Sequence, residues 1–346
     1  MTLENAQISE LMAQAGDRYE GQRQRAYRRA ARHALMWPEQ AADVLDEGRP
    51  LTDLSALGPR LSGLVRSWLN DPPEIPKRPE TRAGFMSFAH AREVTAASPS
   101  YKTDLRGDLQ MHTVDSDGSL TASEMAAAAI ALGYEYIAIT DHSIGLKIAG
   151  GMSIDEMAAQ RAALDALNER LSSQGSDFTV LRSIEMNLDT SGKGDLSHED
   201  VEPLDIVVGS FHSKLRRKED QTDRGLAAVS NPDIHILGHP RGRMFNSRLG
   251  VLGDWARIFA TAAEHHTALE LNSHPNRQDL DVEMLRLASD SGCMFSIGTD
   301  AHVDWELQFV DLGLAAAIEA EIPKERILNF MSHEELVAWV DEANGG

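Results

Sequence analysis

Side chains of the types that bind metal ions recur along the second part of the sequence, each at the end of a short apolar run. They are histidines and carboxylates with one glutamine: Gln110, His112, Asp117, His142, Glu185, His212, His239, Asp300 and His302. Imidazole and carboxylate ligands without thiolates suit zinc, manganese or iron, and not a structural zinc site built from cysteines. These ligands are too many for one ion, so the sequence predicts two or three divalent ions that share carboxylate bridges.

Each of these residues also has a structural interpretation. A single histidine after a strand is more often a hydrogen-bonded core or surface residue than a ligand. Asp115 would serve equally to cap a turn, and Asp108 to support the strand. Five histidines at equivalent places are hard to explain in that way. Clustered divalent ions lower the pKa of a bound water, neutralise a phosphate and stabilise the leaving oxygen. The predicted chemistry is therefore the hydrolysis of phosphate esters.

The elements that would position these residues follow from the pattern after Asp104, where β-rich runs alternate with helical stretches. Thr121 and Glu124 form a capping box, and Gly133 is a C-terminal stop. Alternation of this kind indicates a parallel sheet, and parallel strands of a barrel deliver their C-terminal residues to one mouth. We predict an α/β fold in which seven strands close into a barrel. The seven candidate strands are DLRGDLQMH, YEYIAIT, FTVLRSIEMN, DIVVGSF, DIHILG, TALELN and MFSIGT.

The front of the chain has a different character. Residues 1–70 predict a small all-α domain, residues 71–103 hold five prolines and predict a linker, and residues 104–346 predict the barrel. In the first domain, four arginines fall on one side of a helix whose other side is apolar: Arg25, Arg28, Arg29 and Arg32. They form either a solvated helix face or a set of phosphate contacts.

Composition bounds the remaining possibilities. The net charge is −21, yet residues 1–100 hold 13 acidic and 13 basic side chains, whereas residues 101–346 hold 41 acidic and 20 basic ones. An acidic barrel suits divalent cations. One cysteine, Cys293, excludes a disulfide framework. The first residues lack the apolar core of a signal peptide, and no apolar run is long enough to span a bilayer, so we predict a cytoplasmic protein with no membrane partner.

Several motifs together resemble the PHP (polymerase and histidinol phosphatase) family. In order, they are GDLQMHTVDSDG, ITDHS, Glu185, SFHS, GHP, ELN and TDAH. The longer strings TDLRGDLQMHT, DHSIGLKIAGGMS and LELNSHPNRQDL are similar to the PHP domain of bacterial family X DNA polymerases. The front resembles the helical domain of those polymerases, which has a helix–hairpin–helix motif. The linker stands where the polymerase palm and fingers would be, so the resemblance implies no polymerase activity.

The resemblance implies a distorted (β/α)7 TIM-like barrel with three ion sites. Gln110, His112, Glu185 and Asp300 would surround the first ion. Glu185, His212 and His239 would hold the second, and Asp117, His142 and His302 the third. Gln110 replaces the histidine that is usual in the family, and its amide oxygen is a weaker, harder ligand that favours manganese over zinc. The eight residues other than Gln110 are also the expected catalytic set.

Substrate phosphate requires cations at the mouth. Lys147, Arg243 and Arg248 follow ligand-bearing strands and are the predicted substrate-binding residues, whereas Arg277 is as easily a surface charge. In the hairpin of the front domain, Ala56 takes the place of a first glycine, which weakens the expectation that this turn binds DNA.

Three functions remain open at this point. The first is a 3′-end nuclease or phosphatase that acts on DNA in repair, an exonuclease-like role that the family X resemblance favours. The second is a phosphomonoesterase on a small metabolite such as histidinol phosphate, which the acidic barrel favours because a long polyanion would be repelled. The third is a metal-stabilised DNA-binding protein without catalysis, which Gln110 permits. The sequence leaves the oligomeric state open.

Overall fold

Seven parallel strands form one sheet in sequence order, in a computed structural model that describes residues 3–344. Each strand pairs in parallel with the next and is almost wholly buried, as expected for apolar runs covered on both faces. The strands are β1 (Gly107–Met111), β2 (Tyr136–Ile139), β3 (Thr179–Leu188), β4 (Ile206–Phe211), β5 (Ile236–Gly238), β6 (Ala268–Asn272) and β7 (Phe295–Gly298). Six of them lie within the candidate runs and β3 extends one residue beyond its run, so the predicted strand pattern is confirmed.

The first and last strands meet, and the sheet becomes a nearly closed barrel. The Asp300 amide donates to the Gln110 carbonyl at 3.0 Å, and the His112 amide donates to the Ala301 carbonyl at 2.8 Å. Below them the buried carboxylate of Asp108 accepts from the Thr299 amide at 3.1 Å. Asp108 therefore supports the strands, in agreement with its structural interpretation. These bonds bring the ends of β1 and β7 to the same mouth.

Helices surround the barrel and connect its strands. The predicted capping box is present, because the Thr121 hydroxyl accepts from the Glu124 amide while the Glu124 carboxylate accepts from the Thr121 amide. Gly133 follows the same helix with a φ of +85°, a conformation that favours glycine. The helices are α7 (Ala122–Ala131), α8 (Ile154–Ser173), α9 (His198–Val201), α10 (Thr222–Val229), α11 (Trp255–Glu264), α12 (Val282–Asp290), α13 (Val310–Glu319) and α14 (His333–Asn344).

The front of the chain is helical, as predicted, and has a hydrophobic core of its own. Its helices are α1 (Asn5–Asp17), α2 (Gly21–Met36), α3 (Ala41–Asp46) and α4 (Pro59–Asn70). In the hairpin before α4, Ala56 has a φ of +62°, the left-handed conformation that a glycine would adopt at less cost. The turn thus keeps a glycine-like backbone although its side chain is alanine.

The segment predicted as a linker contains helices, which its prolines did not predict. They are α5 (Phe88–Ala97) and α6 (Ser100–Thr103). Ser87 caps α5, and Phe88 packs against Phe309 of the barrel with the two ring centroids 5.4 Å apart. No proline occurs between Pro79 and Pro99. That proline-free run was long enough to form a helix that buries apolar side chains.

Two contacts fix the helical region on the barrel. Phe245, in the loop after β5, is buried in the core of the helical region and stands edge-on to Phe85 at 5.2 Å. Arg82 makes a buried ion pair with Glu10 at 2.8 Å and donates to the Asn246 side chain at 2.8 Å. The loop after β5 is thus held from both sides. Across residues 3–344, no helix is long and apolar enough to cross a bilayer.

Candidate metal centre

Glu185 lies in the middle of the mouth of the barrel, on β3, and is fully buried. One of its carboxylate oxygens is 2.9 Å from His239 Nε2 and 3.2 Å from His212 Nε2. The other oxygen is 3.0 Å from His142 Nδ1 and 3.5 Å from His112 Nε2. A carboxylate with imidazoles on both oxygens has the arrangement required of a bridge between two metal ions.

Asp117 forms a second focus, in the loop after β1. Its Oδ1 lies 3.3 Å from His302 Nε2 and 3.5 Å from His142 Nε2. His142 therefore turns one ring nitrogen to Asp117 and the other to Glu185. On the far side, His112 Nε2 is 3.3 Å from Asp300 Oδ1. All eight histidine and carboxylate residues predicted from the sequence are brought together in one cluster.

Three groups within this cluster have ligand atoms close enough to share an ion, each within 4.8 Å of the others. They are His112 with Asp300 and His302, His112 with Asp117 and His142, and His142 with Glu185 and His212. Because His112 and His142 each belong to two groups, the sites form one continuous centre. The family resemblance implies a different division, because it assigns His302 to the site of Asp117 and His142. The three ion sites and each residue's assignment as a ligand therefore remain predictions.

The cluster contains an unusual concentration of buried polar atoms without a hydrogen-bond partner. They include both ring nitrogens of His112 and of His239, both carboxylate oxygens of Glu185, His142 Nδ1 and His212 Nε2. A buried polar atom left unpaired costs about 1–3 kcal/mol, so such groups are normally satisfied. These atoms instead point at shared space. Divalent cations there would satisfy the atoms that face that space, and the residues present therefore fit a metal centre.

The ionisation of the cluster also suits cations. Burial alone would raise the pKa of Glu185, but His142 and His212 outweigh it and hold that pKa well below its usual range. Burial of Asp300 is likewise outweighed, chiefly by the Arg277 guanidinium, and its pKa is also held well below normal. Burial lowers the pKa of His239 to about 4, which keeps its imidazole neutral and able to bind metal.

Supporting residues orient these side chains. Asp141, next to His142, accepts from the Thr113 amide at 2.8 Å and from Gln160 Nε2 at 2.6 Å. Gln160 also donates to Asp115 at 2.9 Å, so Asp115 supports the loop, in line with its structural interpretation. These bonds hold the loops that carry Asp117 and His142. Partners of this kind fix ligand orientation in metal sites.

Gln110 differs from the other eight residues. Its side chain is buried, and both amide atoms lack a hydrogen-bond partner. Nearby is Glu270 of β6, which accepts from the His239 amide and has one unpartnered oxygen, Oε1. Burial raises the pKa of Glu270 well above its usual value, and the negative charge of Asp300 adds to the effect. The side chain of Gln110 thus lies beside the cluster and makes no hydrogen bond.

Backbone conformation is unusual at two members of the cluster. His239 has a φ of +25° and Asp300 a φ of +56°, both in the region that side-chain-bearing residues rarely adopt. Such conformations cost on the order of 1–3 kcal/mol each and concentrate at functional sites. No sequence pattern predicted this strain.

Within residues 3–344, none of the three cations predicted to bind substrate forms an ion pair with a residue of the cluster. Arg243 is buried, forms an ion pair with Asp281, donates to the Ala83 carbonyl at 2.8 Å and lies over the Phe85 ring. With Arg248 it lines a separate cavity of about 530 Å³, and Lys147 is exposed on a short 3-10 helix. These contacts occupy Arg243 within the protein, and the substrate-binding roles of Lys147, Arg243 and Arg248 remain predictions. The cation beside the cluster is Arg277, whose Nε is 2.8 Å from Asp300 Oδ2.

Comparisons with known proteins agree with this site. Residues 108–274 match the PHP domain family. The chain is 35% identical over 237 residues to the DNA polymerase/3′-5′ exonuclease PolX of Bacillus subtilis, which covers 68% of this chain but only 41% of that protein. It is 28% identical to a probable phosphatase of Serratia proteamaculans over 64% of this chain and 89% of that protein.

Among solved structures, a similar chain is the histidinol phosphate phosphatase of Lactococcus lactis, crystallised with zinc, L-histidinol and phosphate. The sequence identity is 17% and the TM-score 0.43, over 62% of this chain and 94% of that one.

Proposed function

We propose that this chain, whose residues 108–274 form a PHP domain, is a phosphoric ester hydrolase that acts at the 3′ ends of DNA. The observation that carries the hydrolase assignment is the buried cluster around Glu185, in which imidazoles and carboxylates converge with their ligand atoms unpaired. The choice of DNA is supported by the similarity to the exonuclease PolX. Because the chain spans 41% of that relative, its whole activity is not carried over, and the DNA substrate is our proposal.

The donor set suits two or three zinc, manganese or iron ions, held by the histidines, Asp117, Glu185 and Asp300. When bound, such ions supply an activated water, neutralise the phosphate and stabilise the leaving oxygen. The residues of this chain hold that centre in place. Glu185 joins its two halves, Asp141 orients the loops that carry His142 and Asp117, and Arg277 balances the charge of Asp300. Gln110, with no hydrogen bond of its own, is the weakest of the proposed ligands.

A phosphomonoesterase acting on a small metabolite is the second candidate. The excess of 41 acidic over 20 basic residues in 101–346 supports it, because such a barrel repels a long polyanion outside the metal centre. Its support among relatives is the probable phosphatase of Serratia proteamaculans, which is matched over 89% of its length. DNA binding by the hairpin at Ala56, a role in repair and a cytoplasmic location stay predictions.

Three substrates separate the candidates. The protein, loaded with manganese or with zinc, is incubated with a 5′-labelled single-stranded oligonucleotide, with the same strand bearing a 3′-phosphate, and with an aryl phosphate. Stepwise shortening or loss of the 3′-phosphate supports the DNA proposal, whereas turnover of the aryl phosphate alone selects the small-molecule phosphatase. If none reacts with metal bound, the hydrolase proposal is wrong.

A matched pair of histidine variants assigns any activity to the cluster. His142→Ala removes a side chain that faces both Asp117 and Glu185, and we expect it to abolish turnover. His265→Ala removes an exposed histidine at the end of α11 and should leave turnover unchanged. Equal turnover in the two variants would show that the activity arises elsewhere or from a contaminant.

A further inference from the structure

A cavity of about 590 Å³ opens beside the metal centre, and its opposite walls come from different parts of the chain. On one side are residues of the barrel mouth: His274, Asn276, Arg277, Asp300 and His302. On the other side are four arginines of α2, which we call the arginine wall: Arg25, Arg28, Arg29 and Arg32. The loop of Phe245 closes the cavity between them. A substrate that reaches Asp300 or His302 from this side therefore passes the arginine wall.

The arginine wall follows from the sequence of α2. The helix carries five arginines and no acidic residue, and its apolar side chains, such as Tyr27 and Leu35, are buried against the other helices. Arginines at positions i, i+4 and i+7 fall on the same face. All four side chains of the wall are exposed. Burial of the apolar face therefore leaves the wall turned outward, towards the barrel.

The charges of the wall are largely uncompensated. Arg28 lies 3.3 Å from Asp17, and within residues 3–344 no carboxylate lies within ion-pair distance of Arg25, Arg29 or Arg32. Like charges spaced three or four residues apart destabilise a helix by a few tenths of a kcal/mol per pair. An anion against the wall would remove that repulsion. The acidic excess of the chain lies in residues 101–346, so this cationic face stands out beside it.

The wall is held firmly at the mouth of the barrel. The loop that carries Phe245 and Asn246 inserts into the helical region, where Phe245 is buried and Asn246 accepts from Arg82. Arg82 is in turn fixed by its buried ion pair with Glu10. Loss of one partner of such a pair is costly, so this junction resists separation. The distance between the wall and the metal centre is therefore a property of the fold.

The dimensions of the wall indicate the kind of anion. From Arg25 to Arg32 the helix rises about 10 Å, and phosphates on one stacked strand are spaced about 3.4 Å apart along the axis. The wall is thus long enough for about three consecutive phosphates. A cavity of this volume lies in the range of sites for one small ligand, so it would enclose only the end of a strand.

We propose that the arginine wall binds the phosphodiester backbone of a single-stranded nucleic acid whose terminal phosphate ester lies at the metal centre. The placement of the strand's end at the metal centre rests on the proposed function. The binding of the strand's backbone rests on the arginine wall alone. This mode of binding explains how a polyanion could reach an acidic barrel that would otherwise repel it. The strand approaches along the cationic face that lines this cavity. Arg277, on the barrel side, faces the same space.

Binding without metal tests this proposal independently of catalysis. A fluorescein-labelled ten-nucleotide strand is titrated with chelator-treated protein at several salt concentrations, and anisotropy gives Kd. For a single strand the logarithm of affinity falls with the logarithm of salt with a slope of about 0.7 per phosphate contacted. The variant Arg25→Gln/Arg29→Gln/Arg32→Gln should lower that slope by about 2 and weaken binding by more than about tenfold at low salt.

Two further variants supply the controls. Arg66→Gln/Lys77→Gln/Arg257→Gln removes the same charge from exposed residues outside the cavity and should keep the slope of the unmodified protein. Arg25→Lys/Arg29→Lys/Arg32→Lys keeps the charge of the wall and should keep most of the slope. Equal slopes in the two glutamine variants would overturn the proposal. So would a wall variant that binds the strand normally but has lost affinity for a nucleoside triphosphate, since the wall would then serve a compact polyphosphate.

The two proposals fail separately. Suppose that the metal-loaded protein turns over no phosphate ester, but strand binding by the triple glutamine variant of the wall depends less on salt than binding by the unmodified protein. The proposed function is then wrong, and the wall still binds nucleic acid. If the protein shortens the strand and the wall variant keeps its slope, the function stands and the wall is only a solvated helix face.

Discussion

The metal centre and the arginine wall face each other across one cavity and are built on opposite principles. The centre is buried, and its ligands are carried by strand ends whose backbone is tied together by hydrogen bonds at 2.8–3.0 Å. The wall is exposed, belongs to a single helix, and acts through charge rather than through fixed geometry. The contrast indicates that hydrolysis at the metal centre depends on the identity of each side chain. Substrate binding at the arginine wall depends instead on the total charge of several solvent-screened arginines. Single substitutions should therefore be severe in the centre and mild in the wall.

The largest effect is expected from Glu185→Gln. Glu185 contacts four histidines, and an amide cannot bridge two cations as a carboxylate does. Because metal ions supply several kcal/mol of transition-state stabilisation, turnover should fall by about 10²- to 10³-fold or more, with loss of bound metal. Glu264→Gln, at an exposed site on α11, is the control. Full turnover in Glu185→Gln would remove this residue from the centre.

A smaller loss should follow from Asp141→Asn, which leaves every proposed ligand in place. Asp141 accepts hydrogen bonds from Thr113, Ser116 and Gln160, and an amide cannot accept them all. Loss of such supporting bonds typically lowers metal affinity by about 10- to 100-fold. Competition with a chelating dye measures it, and Asp155→Asn on the surface of α8 serves as the comparison. Unchanged affinity would mean that the loops hold their ligands without Asp141.

Gln110→His should shift the preference of the centre between metals. Gln110 is buried and its amide makes no hydrogen bond, and an imidazole there would be a softer ligand than an amide oxygen. We expect zinc affinity to rise by about tenfold, or about 1.4 kcal/mol, while manganese affinity changes little. Metal titrations followed by calorimetry would measure both. A variant that gains nothing for zinc would show that position 110 does not contact an ion.

The smallest effect is expected from one arginine of the wall. Arg29→Gln removes one exposed cation and one phosphate contact, so the salt slope for strand binding should fall by about 0.7 and affinity by only a few-fold. Arg66→Gln is the matched control, and anisotropy titrations measure both. A single variant that abolishes binding would contradict the view that the wall acts as a sum of charges.

Much of this arrangement was predictable because it is local in sequence. Nearly every apolar strand run carries a proposed ligand or is followed by one, so the barrel and the candidate residues from His112 to His302 could be predicted from spacing and residue type. The capping box of α7 and the stop at Gly133 are equally local. These features depend on neighbours a few residues away, and the structure has them where the sequence predicted them.

What the sequence did not predict depends on contacts between distant segments. The choice between a solvated arginine face and a phosphate-facing one was open, because only the insertion of Phe245 and the pair of Arg82 with Glu10 bring α2 to the mouth. Arg243 is predicted to bind substrate because it follows a ligand-bearing strand. In the structure, however, its guanidinium forms an ion pair with Asp281 and donates to the Ala83 carbonyl. The prolines of the predicted linker concealed α5, whose Phe88 packs on the barrel.

The most direct test of the central claim is anomalous diffraction from crystals of the zinc-loaded protein. We predict two or three peaks at the mouth of the barrel, at about 2.0–2.2 Å from imidazole nitrogens and carboxylate oxygens. One peak should contact Glu185, His212 and His239 together, and a second should contact Asp117. Zinc found only at surface carboxylates, with no peak beside Glu185, would contradict the account.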